Sequence, residues 1–141
     1  MSRQPVHATA VARHTRSGWR AVLLTGASGA GKSDLALRLI GSGWRLVGDD
    51  YVHVFASGEA LYAAPTERIA GRIEVRGVGI VSRPVVAPVR VVLAVALAQE
   101  PPERLPEPEF RTFDGVSLPL LRLDPRETSA GEKVAAALAA L

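Results

Sequence analysis

The chain has 141 residues, 48% of them apolar and 22% charged, a formal net charge of +3 and no cysteine. This length and composition suit one soluble domain over residues 1–141, with a core of its own but not two. No apolar run approaches the roughly 20 residues that span a bilayer, and no apolar stretch follows the N-terminal arginines as in a secretory signal. Disulfides, thiolate metal sites and cysteine nucleophiles are excluded, and a cytoplasmic location is expected.

The charge is unevenly spread. Arg3, Arg13, Arg16, Arg20 and Lys32 all precede Asp34, the first acid in the chain. A basic first quarter suits phosphate, acidic lipid or nucleic acid, or is a solvated face. Aromatic–basic interleaving, zinc spacing and a recognition-helix pattern are missing, so neither nucleic acid nor membrane is expected as a partner.

The first element read from the pattern is Ala21–Thr25, a short apolar run ending at glycine and therefore a buried strand. Ser33–Ile40 follows as a short helix, with Asp34 where the helix dipole favours an acid and Gly41 and Gly43 as stop signals. Arg45–Gly48 is a second strand. Tyr51–Phe55 and Ala60–Ala64 flank Ser57-Gly58-Glu59 as a hairpin. Arg72–Val81, with Gly77 and Gly79, is a strand entering a tight loop. Val89–Ala98, apolar except for Arg90, fits a central strand.

Four prolines make Gln99–Glu109 an exposed connection outside the sheet. Val116–Leu123 is a strand broken or edged by Pro119. Ser129-Ala-Gly-Glu132 has the form of a capping box opening an alanine-rich C-terminal helix. One βα unit, then mainly strands, then a helix gives an α/β class with a mixed, largely antiparallel sheet.

Gly26-Ala27-Ser28-Gly29-Ala30-Gly31-Lys32-Ser33 matches the phosphate-loop pattern G-x-x-x-x-G-K-[ST] at every fixed position. Glycines let the backbone wrap closely so that successive N–H groups face phosphate oxygens. Lys32 brings a compact cation to the β and γ phosphates, Ser33 offers a hydroxyl to Mg²⁺, and the following helix adds its positive end. A chance match in a chain this long arises on the order of one time in a hundred, so the loop outweighs a merely glycine-rich connection.

Asp49 and Asp50 end the next strand. Beside a phosphate loop, such acids hold Mg²⁺ or take a proton from an attacking hydroxyl; elsewhere they would be an acidic turn. Adjacent carboxylates disfavour each other's ionised form, so the two can divide these tasks. Glu74, in an apolar stretch, needs a metal or a partner, and Arg76 two residues on is the plain alternative as an ion pair. His7, His14 and His53 carry no pattern that separates them from surface histidines.

Three segments together, namely Gly26–Ser33 with Asp34-Leu-Ala-Leu, then Arg45-Leu-Val-Gly-Asp-Asp-Tyr-Val, then Ile73-Glu-Val-Arg-Gly-Val-Gly-Ile-Val, resemble the catalytic domain of HPr kinase/phosphorylase. The last is the most discriminating. The likeness runs from about His7 to Ser82 and more loosely to the end, and implies a short form without the family's N-terminal domain. It also implies a phosphoenolpyruvate carboxykinase-like P-loop arrangement, ATP or pyrophosphate as donor, Mg²⁺ as cofactor and HPr as protein partner.

By resemblance, Lys32 and the loop hold the phosphates, Ser33 and Glu74 bind Mg²⁺, and the Asp49–Asp50 pair contains the catalytic base, with Asp50 favoured by its spacing from Lys32. His7-Ala-Thr-Ala resembles the family's upstream histidine segment and singles His7 out. The family's arginine after a Val-Pro strand near the C-terminus corresponds, at shifted spacing, to Arg122 or Arg126. The implied activity is a protein-serine kinase on HPr with phosphate-dependent reversal, in a homo-oligomer, hexameric in the family. A small-molecule kinase and a non-catalytic nucleotide sensor are the alternatives.

Overall fold

The computed structural model describes residues 5–141; Arg3, the first of the early arginines, lies outside them. In chain order the elements are β1 (Ala8–Thr15), β2 (Gly18–Thr25), α1 (Lys32–Gly41), β3 (Arg45–Gly48), β4 (Val52–Ser57), β5 (Ala60–Pro65), β6 (Arg72–Val75), β7 (Gly79–Ser82), β8 (Val89–Leu97), β9 (Glu109–Phe113), β10 (Val116–Leu123) and α2 (Ala130–Ala139).

The main sheet has the order β3-β1-β2-β8-β10-β9, with β5 joining β8 and β4 pairing β5; β6 and β7 form a separate hairpin. β8 is parallel to β2 and to β10. The remaining pairings are antiparallel. The expected mixed, largely antiparallel α/β sheet is therefore present, and Val89–Leu97 is its central strand.

Because β1 runs opposite to both β2 and β3, those two strands point the same way as β8 and β10. Four strands thus deliver their carboxyl ends to one edge of the sheet, where ligands of open α/β sheets collect. The start of β1 meets the same edge, through the register Ala8↔Thr25. His7, Gly26, Asp49, Ala98 and Asp124 leave the sheet there.

Both faces of the central strands are buried, which is why they read as continuous apolar runs. Val11, Val22, Leu24, Leu93 and Val95 face α1 and α2, which contribute Leu35, Leu39, Val134 and Leu138. Ala8, Ala10, Leu23, Val91 and Ala94 face the β4–β5 side with Val54 and Leu61. Each fully buried Leu or Val stabilises by about 1.5–3 kcal/mol relative to exposure. Leu39→Ala is thus expected to cost about 2–5 kcal/mol.

Several expectations need correction. β1 was not anticipated: Ala8, Ala10 and Ala12 are weak strand formers, and what holds them is packing between two neighbouring strands. β9 lies at the sheet edge and is mostly exposed. Its signal was Asp114-Gly115, whose φ values of 47° and 80° are those of a two-residue hairpin turn. Pro119 neither breaks nor edges β10, which lies inside the sheet. The ladder to β8 begins only at Leu120, so at Pro119 one side of the strand is still open and a missing N–H is tolerated. Ser129 is the N-cap of α2, but it makes no side-chain cap bond, so the capping box does not form. No helix of the described residues is long and apolar enough to cross a membrane.

Candidate active site

β2 is pinned at its end, where Thr25 Oγ1 donates to the Val95 carbonyl at 2.9 Å. The chain then loops to Gly31, the N-cap of α1, at φ 104°. A Cβ there would strain the backbone and lie 3.2 Å from Pro125 Cγ. The loop therefore opens the helix directly, and its residues from Ser28 to Ser33 line a cleft of about 540 Å³, a size usual for small-molecule sites. Ser28, Lys32 and Ser33 of the loop line it together with Asp50, Glu74, Gln99 and Arg126.

Lys32 is 6% exposed. Its Nζ donates to the carbonyls of Gly26 (2.8 Å) and Ala27 (3.1 Å), bracing the loop from within. Burial lowers the pKa of this ammonium, and Asp50 and Asp49 push it back up. A phosphate group entering the cleft would meet a cation whose charge is poorly solvated, which strengthens the attraction.

The two aspartates are separated by a tight turn. Gly48 is required before it, because a Cβ would come within 2.6 Å of Val52 Cγ1 where β4 doubles back. Tyr51 N–H donates to the Asp49 carbonyl at 2.7 Å, and Asp50 takes a left-handed φ of 68°. The carboxylates consequently part.

Asp49 is buried and accepts from Thr9 Oγ1 (2.8 Å), Ser33 Oγ (2.6 Å) and the Glu74 N–H (3.1 Å). It thereby ties β1, α1 and β6 together on the cleft floor. The Asp50 side chain is 60% exposed on the rim, with Oδ1 3.1 Å from His7 Nε2. A carboxylate only accepts, so His7 donates with Nε2–H. The His7 ring stacks on Tyr51 at 4.9 Å.

Glu74 and Arg76 line the cleft beside Asp50, and no ion pair joins them among the described residues. The β6–β7 hairpin turns tightly between them and Gly79, with Val78 N–H on the Val75 carbonyl at 2.9 Å. His14 meets the Trp19 ring edge-on, and His53 lies exposed on β4; neither lines the cleft.

Of the two C-terminal arginines, Arg126 is in the cleft wall. Its guanidinium bonds Asp124 through Nε (3.1 Å) and Nη2 (2.9 Å), which lowers the Asp124 pKa and raises that of Arg126. Arg122 pairs instead with Glu109 on the exposed β9–β10 hairpin. Thr9, Gln99 and Asp124 were not singled out from the sequence. Thr9 was hidden because β1 itself was; Asp124 carried a signal in standing two residues before Arg126.

The donor set fits Mg²⁺. The Ser33 hydroxyl gives its proton to Asp49, so its oxygen lone pairs remain for a cation, and Glu74 adds a hard carboxylate oxygen. Among the described residues no three His, Cys, Asp or Glu side chains converge as a cage. A Mg²⁺ held partly by substrate phosphates and water needs none.

Comparison with known proteins agrees with this geometry. The HPr Serine kinase C-terminal domain family matches residues 17–87. The HPr kinase/phosphorylase of Streptococcus equi subsp. zooepidemicus is 40% identical over 115 residues, covering 72% of this chain and 37% of that protein. The corresponding protein of Streptococcus thermophilus is 49% identical over 61 residues, covering 43% and 20%. The chain thus spans little more than a third of the first relative's length. The structure of the Hpr(Ser) kinase/phosphatase from Coxiella burnetii superposes with a TM-score of 0.78 at 26% identity, over 98% of this chain and 95% of that one. By loop, aspartate turn, glycine-punctuated hairpin and sequence, the chain belongs to the HPr serine kinase C-terminal domain family.

Proposed function

We propose that residues 1–141 act as one catalytic unit, a Mg-ATP-dependent protein-serine kinase that phosphorylates HPr and runs in reverse by phosphorolysis. The observation that carries this reading is the division of labour between the two aspartates: Asp49 is buried under three hydrogen bonds, while Asp50 stands at the cleft mouth, where among the described residues its carboxylate meets His7. A protein side chain can reach the mouth of an open cleft.

In the forward direction the loop N–H groups and Lys32 hold the β and γ phosphates, and Arg126 lines the same cleft. The serine Oγ of HPr attacks the γ phosphorus, the bond to the β-phosphate oxygen breaks and ADP leaves. Asp50 takes the serine proton, held in place by His7. In reverse, inorganic phosphate attacks the phosphoserine phosphorus, Asp50 returns the proton to the leaving serine, and pyrophosphate is the product. Mg²⁺, held by Ser33 and Glu74 with Asp49 behind them, would neutralise charge on the phosphates.

With this reading go a cytoplasmic location and a homo-oligomer, hexameric by family resemblance. The decisive experiment incubates the protein and Mg²⁺ with HPr, separately with ATP and with pyrophosphate, and analyses HPr by mass spectrometry. Phosphoserine is expected. Its absence at high concentrations of a folded protein that still binds Mg-nucleotide would sink the kinase reading in favour of a sensor.

A further inference from the structure

Arg38 lies in the last turn of α1, where a cation ordinarily faces solvent or the carbonyls of its own helix. Here its half-buried guanidinium reaches instead to the chain that follows β10. Nη1 donates to the Pro125 carbonyl at 2.8 Å, and Nη2 to those of Glu127 and Thr128, each at 3.3 Å. Three main-chain carbonyls from one turn are gathered on one planar guanidinium. Arginine offers that many donors in a fixed fork; lysine is a point charge.

The turn so held carries Arg126. Its other end touches the same helix through Pro125, which packs against Gly31. The Asp124–Thr128 segment is therefore fixed to α1 at two places, the phosphate-loop end and the last turn. Asp124 and the Gln99 carbonyl orient the Arg126 side chain, β10 anchors the start of the segment in the sheet, and the contacts to α1 tie it to the helix that carries Lys32.

We infer that Arg38 is a positioning residue: by clamping the Pro125, Glu127 and Thr128 carbonyls to the phosphate-loop helix, it holds Arg126 in the wall of the cleft that Lys32 also lines. This rests on the reading that the cleft binds the donor's phosphates. It makes the last strand's exit part of the phosphate site, although no atom of Arg38 touches substrate.

The test is a double-mutant cycle on the full chain, with Mg-pyrophosphate and Mg-ATP as titrants in calorimetry. Arg38→Met and Arg126→Met are each expected to weaken binding about tenfold, the loss of one charge-assisted contact. The double variant should bind within about twofold of the weaker single, because both act through one group. A role confined to stability would lower the melting temperature and leave affinity alone; unchanged affinity in Arg38→Met, or losses that multiply, overturns the inference. Should Arg38→Met fail to fold, Arg38→Lys takes its place. An ammonium reaching fewer of the carbonyls should lose about threefold in affinity, and parental affinity in that variant overturns the inference equally. A parent that binds neither titrant overturns the phosphate reading along with this one, whereas a parent that binds beside unaffected Arg38 variants overturns this one alone.

Discussion

Asp49 and Asp50 are consecutive and end the same strand, yet one closes the floor of the cleft and the other stands on its rim. The floor is dry and saturated with hydrogen bonds: Thr9, Ser33 and Glu74 all donate to Asp49. The rim is wet, and Asp50 has His7 beside it and solvent around it. Residue type does not distinguish these regions. A turn with one left-handed residue does, by sending successive side chains in opposite directions. The general lesson is that a group made rigid by many donors serves as scaffold, and one left free at an opening can accept a proton.

The comparison breaks most sharply under isosteric replacement. Under the proposed mechanism Asp50→Asn keeps the shape of the rim and removes the base, so kcat for HPr phosphorylation should fall by about 10²–10⁴. Its melting temperature and Mg-nucleotide affinity should match the parent's. Asp49→Asn does the opposite: its amide turns a donor toward donors on the floor, at a cost of about 1–3 kcal/mol in folding stability. Thermal unfolding of the two variants, read beside their turnover, decides. If Asp49→Asn keeps full stability while losing only turnover, floor and rim have been assigned the wrong way round.

The floor also has a cation to probe. Lys32→Met should weaken Mg-nucleotide binding ten- to a hundredfold, the scale of a hydrogen bond to a charged group of about 1.5–3 kcal/mol. Without ligand the effect on stability depends on pH. Burial lowers the Lys32 pKa below its usual 10.5, so the unfolded chain holds that proton more tightly than the folded one. The folded protein bears the whole penalty at pH below its own pKa, and the penalty fades as pH climbs from there toward 10.5. The stability of Lys32→Met relative to the parent should therefore be highest at neutral pH and fall toward pH 10.5. A difference that stays constant across that range contradicts the burial argument.

How far the site could be read from the chain follows from the same distinction. Gly26–Ser33 was legible because its chemistry is local: each residue type is needed at its own place in the backbone. β8 was legible because burial on both faces leaves a continuous apolar run. β1 was not, since alanines and Thr9 become a strand only between β2 and β3, and with it the donor that orients Asp49 stayed hidden. Arg122 and Arg126 are alike in sequence; only the end of β10 decides that one enters the cleft and the other pairs with Glu109. The Arg38 clamp spans nearly ninety positions, and no local pattern announces it.

Between floor and wall, Gly31 offers a smaller perturbation. Gly31→Ala forces a left-handed φ on alanine and brings a methyl against Pro125, so about 1–3 kcal/mol of strain is expected. Because Pro125 neighbours Arg126, part of that strain should appear as weaker Mg-pyrophosphate binding rather than as lower stability alone. Parental affinity together with a lowered melting temperature would confine Gly31 to the fold.

The least effect belongs to the rim's helper. His7 and Asp50 are both substantially exposed, so their contact adds little to stability, and His7→Ala should leave the melting temperature where it is. What it removes is the donor that points Asp50 and the ring stacked on Tyr51. Under the proposed mechanism kcat falls roughly three- to tenfold, the cost of letting a general base wander, while KM for Mg-ATP stays put. His7→Gln, which can still donate to the carboxylate, should recover part of that loss. If instead KM rises and kcat is untouched, His7 belongs to binding at the phosphates, and the rim holds Asp50 by its turn alone.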